Sequence, residues 1–225
     1  MEENKLQRNP ESRVIIKIGE LRLEGILSMP KGVNSVVLFA HGSGSSRFSP
    51  RNNYVAQVLQ RADLGTLLFD LLTEDEDRIY ENRFNIHLLA QRLLGATQWV
   101  KRHSEAKGTR IGYFGASTGA AAALQAAAEI GPDIGAVVSR GGRPDLAEPY
   151  LSRVRSPTLL IVGEKDEVVI KLNQEAFRAI RAGKDLAIVP GATHLFEEAG
   201  TLEKVAQLAT NWFMKYLEGT AVHPY

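Results

Sequence analysis

After residue 34 the chain alternates, with one helical run missing, between two kinds of segment. Short apolar, β-branched runs occupy residues 35–40, 65–71, 110–114, 136–139, 157–162 and 185–189. Longer runs with helical patterning lie between and after them, at 52–61, 86–102, 118–130, 172–181 and 202–217. Strand, helix, strand, helix is the order that builds a mainly parallel sheet with helices on both faces. The runs at 36–40 and 158–162 are continuously apolar, the pattern of strands buried on both sides. Two earlier runs, 14–18 and 21–27, are separated only by Gly19-Glu20 and read as an antiparallel hairpin at one edge. The expectation is an α/β protein with about eight strands.

The length of 225 residues, 44% of them hydrophobic, suits one domain with a sizeable core. There is no internal repeat and no linker long enough to divide the chain, so residues 1–225 are expected to form one domain. Residues 1–12 and 218–225 are expected to be loose tails. The net charge of +1 gives no basic footprint for nucleic acid. No run approaches the ~20 apolar residues of a membrane span. The start, Met1-Glu2-Glu3-Asn4-Lys5, is polar. The chain has no cysteine, which excludes disulfides, cysteine-ligated zinc and a thiol nucleophile. A cytoplasmic location is expected, with no membrane or nucleic-acid partner and a monomeric or homodimeric state.

In such sheets, ligands sit at the C-terminal ends of the strands. The residues that follow each run are therefore informative. The run at 110–114 leads into Gly115-Ala116-Ser117-Thr118-Gly119, a G-x-S-x-G pentapeptide followed by an alanine-rich helical pattern. Strand, sharp turn and helix is the context in which this motif presents a serine nucleophile. Gly115 and Gly119 remove the clashes that side chains would meet in so tight a turn. A serine hydroxyl needs a base, and the base needs a group to orient it. The later rim segments supply Gly163-Glu164-Lys165-Asp166 and Gly191-Ala192-Thr193-His194. Ser117 is read as nucleophile, His194 as general base and then acid, and Asp166 as the orienting carboxylate.

Each role has competitors. Glu164 and Glu167 lie beside Asp166, which itself is a residue type common in turns. His87 and His103 fall in or at the end of a helix pattern, His223 lies in the terminal tail, and His41 suits a backbone-supporting role. The oxyanion is expected to meet the backbone N–H groups of Thr118, at a helix start, and Ser43, in His41-Gly42-Ser43-Gly44. That loop also resembles an anion cradle, but it lacks the Lys-Ser/Thr ending of a P-loop and the dinucleotide G-x-G-x-x-G spacing. Arg47, Arg140 and Arg143 follow rim strands. They either bind an anionic group on the substrate or pair with acids such as Asp145 and Glu148.

Together these four motifs resemble the α/β-hydrolase superfamily, and the size and strand order resemble its dienelactone hydrolase group. The resemblance covers residues 14–217. It implies an α/β-hydrolase fold acting through an acyl-enzyme with no metal and no cofactor. It carries one departure. Authentic dienelactone hydrolases use a cysteine nucleophile, so the resemblance implies a serine-bearing relative and makes dienelactone a poor substrate. Such relatives include esterases and proteins fused to phosphoribosyltransferase domains; no second domain of that kind fits within this chain.

The expected activity is hydrolysis of a small carboxylic ester or thioester. A peptide or lactone bond, or ligand binding without turnover, are the alternatives. Only 143–156 lies between the sixth and seventh runs, too short for a large lid, so an open, shallow site is expected. The acidic stretch at 73–85 is read as a solvated loop edging the site rather than a metal site.

Overall fold

The computed structural model describes residues 11–219. Glu11–Ile18 (β1) and Leu21–Ser28 (β2) form the hairpin, with Ile18 opposite Leu21 across the Gly19-Glu20 turn. The other strands are β3 (Ser35–Ala40), β4 (Gly65–Phe69), β5 (Arg110–Ala116), β6 (Ile134–Arg140), β7 (Thr158–Gly163) and β8 (Lys184–Val189). They make one eight-stranded sheet in the order β1-β2-β4-β3-β5-β6-β7-β8. β2 runs antiparallel to β4, and every pair from β4 to β8 is parallel.

Burial follows the sequence pattern. Every residue of β3 and β7 is buried, as their unbroken apolar runs require. The outermost β1 alternates and fully buries only Ile16. Glu11 and Ser12 pair with Ser28 and Leu27, so the N-terminal tail expected to reach residue 12 gives way to strand at Glu11. At the other end, Met214–Glu218 forms a π-helical turn, so Glu218 belongs to the last helical segment and not to a tail. The rest of both expected tails lies outside the described residues.

The helices are α1 (Pro50–Arg61), α2 (Glu74–Asp77), α3 (Ile86–Arg102), α4 (Thr118–Ile130), α5 (Glu148–Leu151), α6 (Glu167–Ala179) and α7 (Thr201–Phe213). One apolar layer joins the sheet to α3, α4 and α6 through Leu89, Leu93, Leu124 and Ala176. The opposite layer joins it to α1 and α7 through Val55, Leu59, Val205 and Phe213. Each fully buried Leu or Phe contributes ~1.5–3 kcal/mol, and the two layers clamp the sheet between them. The clamp holds the strand ends in place as a platform.

Two segments differ from expectation. α6 begins at Glu167, five residues before the expected start, because Val168-Val169-Ile170 reads as β-branched strand. Burial of Val169, Asn173 and Ala176 overrides that local preference. The acidic stretch at 73–85 is also ordered. Thr73 and Glu76 form a reciprocal capping box on α2, and residues Tyr80–Phe84 make a 3₁₀ turn. Its acids pair with arginines: Arg78 with Glu74 and Asp75, Arg83 with Asp77, and Arg92 with Glu76. The residues between β6 and β7 form a 3₁₀ turn at Pro144–Ala147 and then α5, packed on α4, and make no large lid.

Candidate active site

Ser117 sits at the break between β5 and α4. Its φ of 51° and ψ of −119° lie outside the regions comfortable for an L-residue. The turn is held on both sides. The Ser117 N–H donates to the Arg140 carbonyl at 3.2 Å, and the Ser117 carbonyl accepts from the Arg143 N–H at 3.2 Å. Close packing explains the flanking glycines. A Cβ on Gly115 would lie 2.4 Å from Ala120 Cα, and one on Gly119 would lie 2.2 Å from the Ala40 carbonyl oxygen. Gly119 therefore lets α4 start directly against the end of β3.

Asp166 ends the turn after β7. His194 follows β8, and its Nδ1 lies 2.6 Å from Asp166 Oδ2. An ionised carboxylate only accepts hydrogen bonds, so Nδ1 carries the proton and Nε2 has a free lone pair. The Asp166 side chain is 14% exposed and that of His194 40%, which keeps Nε2 reachable. The imidazole stands over the loop that positions the serine. A Cβ on Gly141 would lie 3.5 Å from His194 Cε1 and Nδ1. Gly141 directly follows Arg140, whose carbonyl holds the Ser117 N–H. One packing contact and one backbone hydrogen bond thus connect His194 to Ser117.

Of the three acids, only Asp166 is hydrogen-bonded to His194 among the described residues. Glu164 accepts from the Gly191 N–H at 2.7 Å, and Glu167 opens α6. Among the rival histidines, His87 meets Gln125 at 3.0 Å and His103 stacks on Trp99; His223 lies outside the described residues. His41 is buried, with Nδ1 3.0 Å from the Gly42 carbonyl and Nε2 3.1 Å from the Leu71 N–H. Nε2 accepts and Nδ1–H donates, so this histidine is a neutral clip between the loop after β3 and the segment after β4. Burial holds it below its ordinary pKa against the opposing pull of Gly42, Asp70 and Asp77.

The expected oxyanion donors have different surroundings. Thr118 N–H lies in the first turn of α4, where the helix dipole favours negative charge. Ser43 N–H donates to Thr118 Oγ1 at 2.9 Å. The sequence offered no sign that the threonine hydroxyl would take this donor. Beside the same loop, a groove of about 380 Å³ is lined by His41, Ser45, Arg47, Asp70, Leu72 and Asp77, among others.

The three rim arginines separate clearly. Arg47 pairs with Glu24 and Asp70, and Arg143 holds Asp145 through two hydrogen bonds of 2.9 and 2.7 Å. Arg140 has neither an ion pair nor a side-chain hydrogen bond among the described residues. Among those residues no cluster of three or more His, Asp or Glu is placed to hold a metal. No helix there is long and apolar enough to cross a membrane.

The sequence matches the Dienelactone hydrolase family over residues 54–218. The chain belongs to that family. A solved structure of a dienelactone hydrolase from Anabaena variabilis is similar at 55% identity, covering 92% of this chain and 98% of its own, with a TM-score of 0.90. The chain also resembles Est1E from Butyrivibrio proteoclasticus at 16% identity and a TM-score of 0.78, a likeness of fold. Two curated relatives from Mycobacterium tuberculosis strains, each described as a putative phosphoribosyl transferase, are 53% identical over 209 residues. The match covers 93% of this chain and 47% of theirs, so the chain spans about half their length. Family, α/β-hydrolase fold, the His194–Asp166 pair and a sequence without cysteine all fit a serine-hydrolase mechanism.

Proposed function

We propose that the protein cleaves a small carboxylic ester or thioester through an acyl-enzyme on Ser117. The observation that carries this reading is the 2.6 Å His194–Asp166 hydrogen bond beside a serine at a strained strand-to-helix turn. Ser117 Oγ attacks the carbonyl carbon while His194 Nε2 takes its proton. Asp166 holds the ring in the required tautomer and stabilises the imidazolium. The carbonyl oxygen becomes an oxyanion facing Thr118 N–H; Ser43 N–H becomes the second donor once the Thr118 hydroxyl turns away. The C–O or C–S bond then breaks, and His194 protonates the leaving alcohol or thiol. In the second half, His194 deprotonates a water that attacks the acyl carbon. The carboxylic acid leaves and Ser117 regains its proton.

The short segment between β6 and β7 supports an open site that favours small substrates. The lack of cysteine suits a reducing compartment, so we place the protein in the cytoplasm. The test is a panel of p-nitrophenyl esters and acyl-thioesters of graded acyl length, run on wild type and Ser117→Ala. Turnover that peaks at short acyl chains and falls at least about 10³-fold in Ser117→Ala is expected. Turnover of a peptide or lactone alone would redirect the substrate class. No turnover of any of these by folded protein would favour a ligand-binding role.

A further inference from the structure

Arg140 is the last residue of β6, paired in register with Ala116, the neighbour of Ser117. It is only 8% exposed, yet no carboxylate pairs with it among the described residues. Its Nε is sealed from solvent with no hydrogen-bond partner, while Nη1 and Nη2, also unbonded, retain solvent access. The guanidinium lies 5.9 Å from the centroid of the buried Phe196 ring, two residues beyond His194. Arg51, in the first turn of α1, is close enough for its charge to act on Arg140. Arg51 is itself incompletely paired: it bonds Glu197 at 3.0 Å, but its Nε is buried without a partner.

A buried cation without a counterion destabilises a fold, and a second cation beside it adds to the cost. Burial, with Arg51 adding to it, pulls Arg140 down to about 10, so it remains charged at neutral pH. Proteins seldom keep such an arrangement for packing. An apolar residue of similar length would fill the space without the desolvation cost. The Arg140 guanidinium, at the end of β6 and with no hydrogen bond of its own among the described residues, is free to receive an oxyanion by charge-assisted, forked hydrogen bonds. Arg140 pairs with Ala116, the residue before Ser117, so the anion and the scissile carbonyl would be joined by a short spacer.

We propose that Arg140 forms a subsite for a carboxylate or phosphate group carried by the substrate. The proposal rests on Ser117 as the nucleophile, and it makes the natural substrate an anionic ester or thioester.

Binding and turnover separate the two ideas. Glutarate and inorganic phosphate are titrated by calorimetry into Ser117→Ala protein, which removes chemistry from the readout. Binding of at least one, weakened about tenfold or more by adding Arg140→Met, is expected. Glutarate alone indicates a carboxylate, and phosphate alone a phosphoryl group. In otherwise wild-type protein, Arg140→Met is expected to raise KM for the p-nitrophenyl monoester of glutaric acid about tenfold or more. KM for neutral p-nitrophenyl valerate should change little. Arg140→Met should also melt at or above the wild-type temperature, since it removes an unpaired buried charge. Binding of neither anion, affinities unaffected by Arg140→Met, equal KM effects on both esters, or a melting temperature lowered by several degrees would each overturn the subsite. Anion binding that depends on Arg140 in a wild-type protein inert to every ester would keep the subsite and sink the nucleophile.

Discussion

At the scale of single residues, His41 shows how a side chain outside the chemistry supports it. Its ring joins the loop that carries Ser43 to the backbone at Leu71, and it does so only while neutral. Its folded pKa lies below the unfolded value of 6.5, so the unfolded chain binds the proton more readily. Its contribution to stability is therefore complete above pH 6.5 and is lost as pH falls from there through the depressed folded value. Glu76 acts in a lower window. Burial pushes its carboxyl up, but Thr73 and Arg92 outweigh that and hold it below 4.5, so its share is lost only at more acid pH. Wild type is expected to melt lower at pH 5.5 than at pH 7.5, and His41→Gln to lose much of that difference. Thermal melts at the two pH values measure this, and an identical pH response in the variant would remove the argument. The sequence marked His41 as a backbone-supporting residue because it precedes a glycine-rich loop. Its partner at Leu71 was not legible, because only the sheet order brings the segment after β4 beside the end of β3.

At the scale of elements, α4 and the loop after β3 form one unit. Gly119 lets the helix start against the Ala40 carbonyl, and Thr118 Oγ1 holds the Ser43 N–H. The pentapeptide and its flanking pattern made the serine turn readable in the sequence. The threonine contact was not readable, since it joins residues far apart in the chain and depends on a rotamer. It has a kinetic consequence. The hydroxyl must release Ser43 before that donor reaches an oxyanion, and one net hydrogen bond is worth about 1 kcal/mol, or about fivefold in rate. Thr118→Val cannot accept this bond, and its kcat on a short p-nitrophenyl ester is expected to rise by up to about fivefold. A fall in kcat would mean that the bond holds the loop in its working position. The start of α6 was misjudged for a different reason: Val168-Val169-Ile170 favours strand locally, and helix forms there because Val169 packs inward. The arginines also lay beyond the sequence. Arg47, Arg140 and Arg143 look alike in the chain, and only the fold shows which of them meet acids.

At the scale of the whole molecule, alternation of apolar and helical segments was enough to give the parallel sheet, the two helical layers and the edge hairpin. It did not place β4 between β2 and β3, because the order of strands depends on crossovers that leave no periodic trace. The sheet gathers Ser117, Asp166 and His194, distant in sequence, onto the C-terminal ends of β5, β7 and β8. Their place after three strands of such a sheet is what singled the three residues out as candidates before any geometry. The central claim is that this rim activates Ser117 as a nucleophile. Intact-mass measurement after treatment with a fluorophosphonate tests it most directly. A single adduct on wild type that maps to Ser117, absent from Ser117→Ala and strongly slowed in His194→Ala, is predicted. An adduct at another residue, or undiminished labelling of Ser117→Ala, would contradict the account.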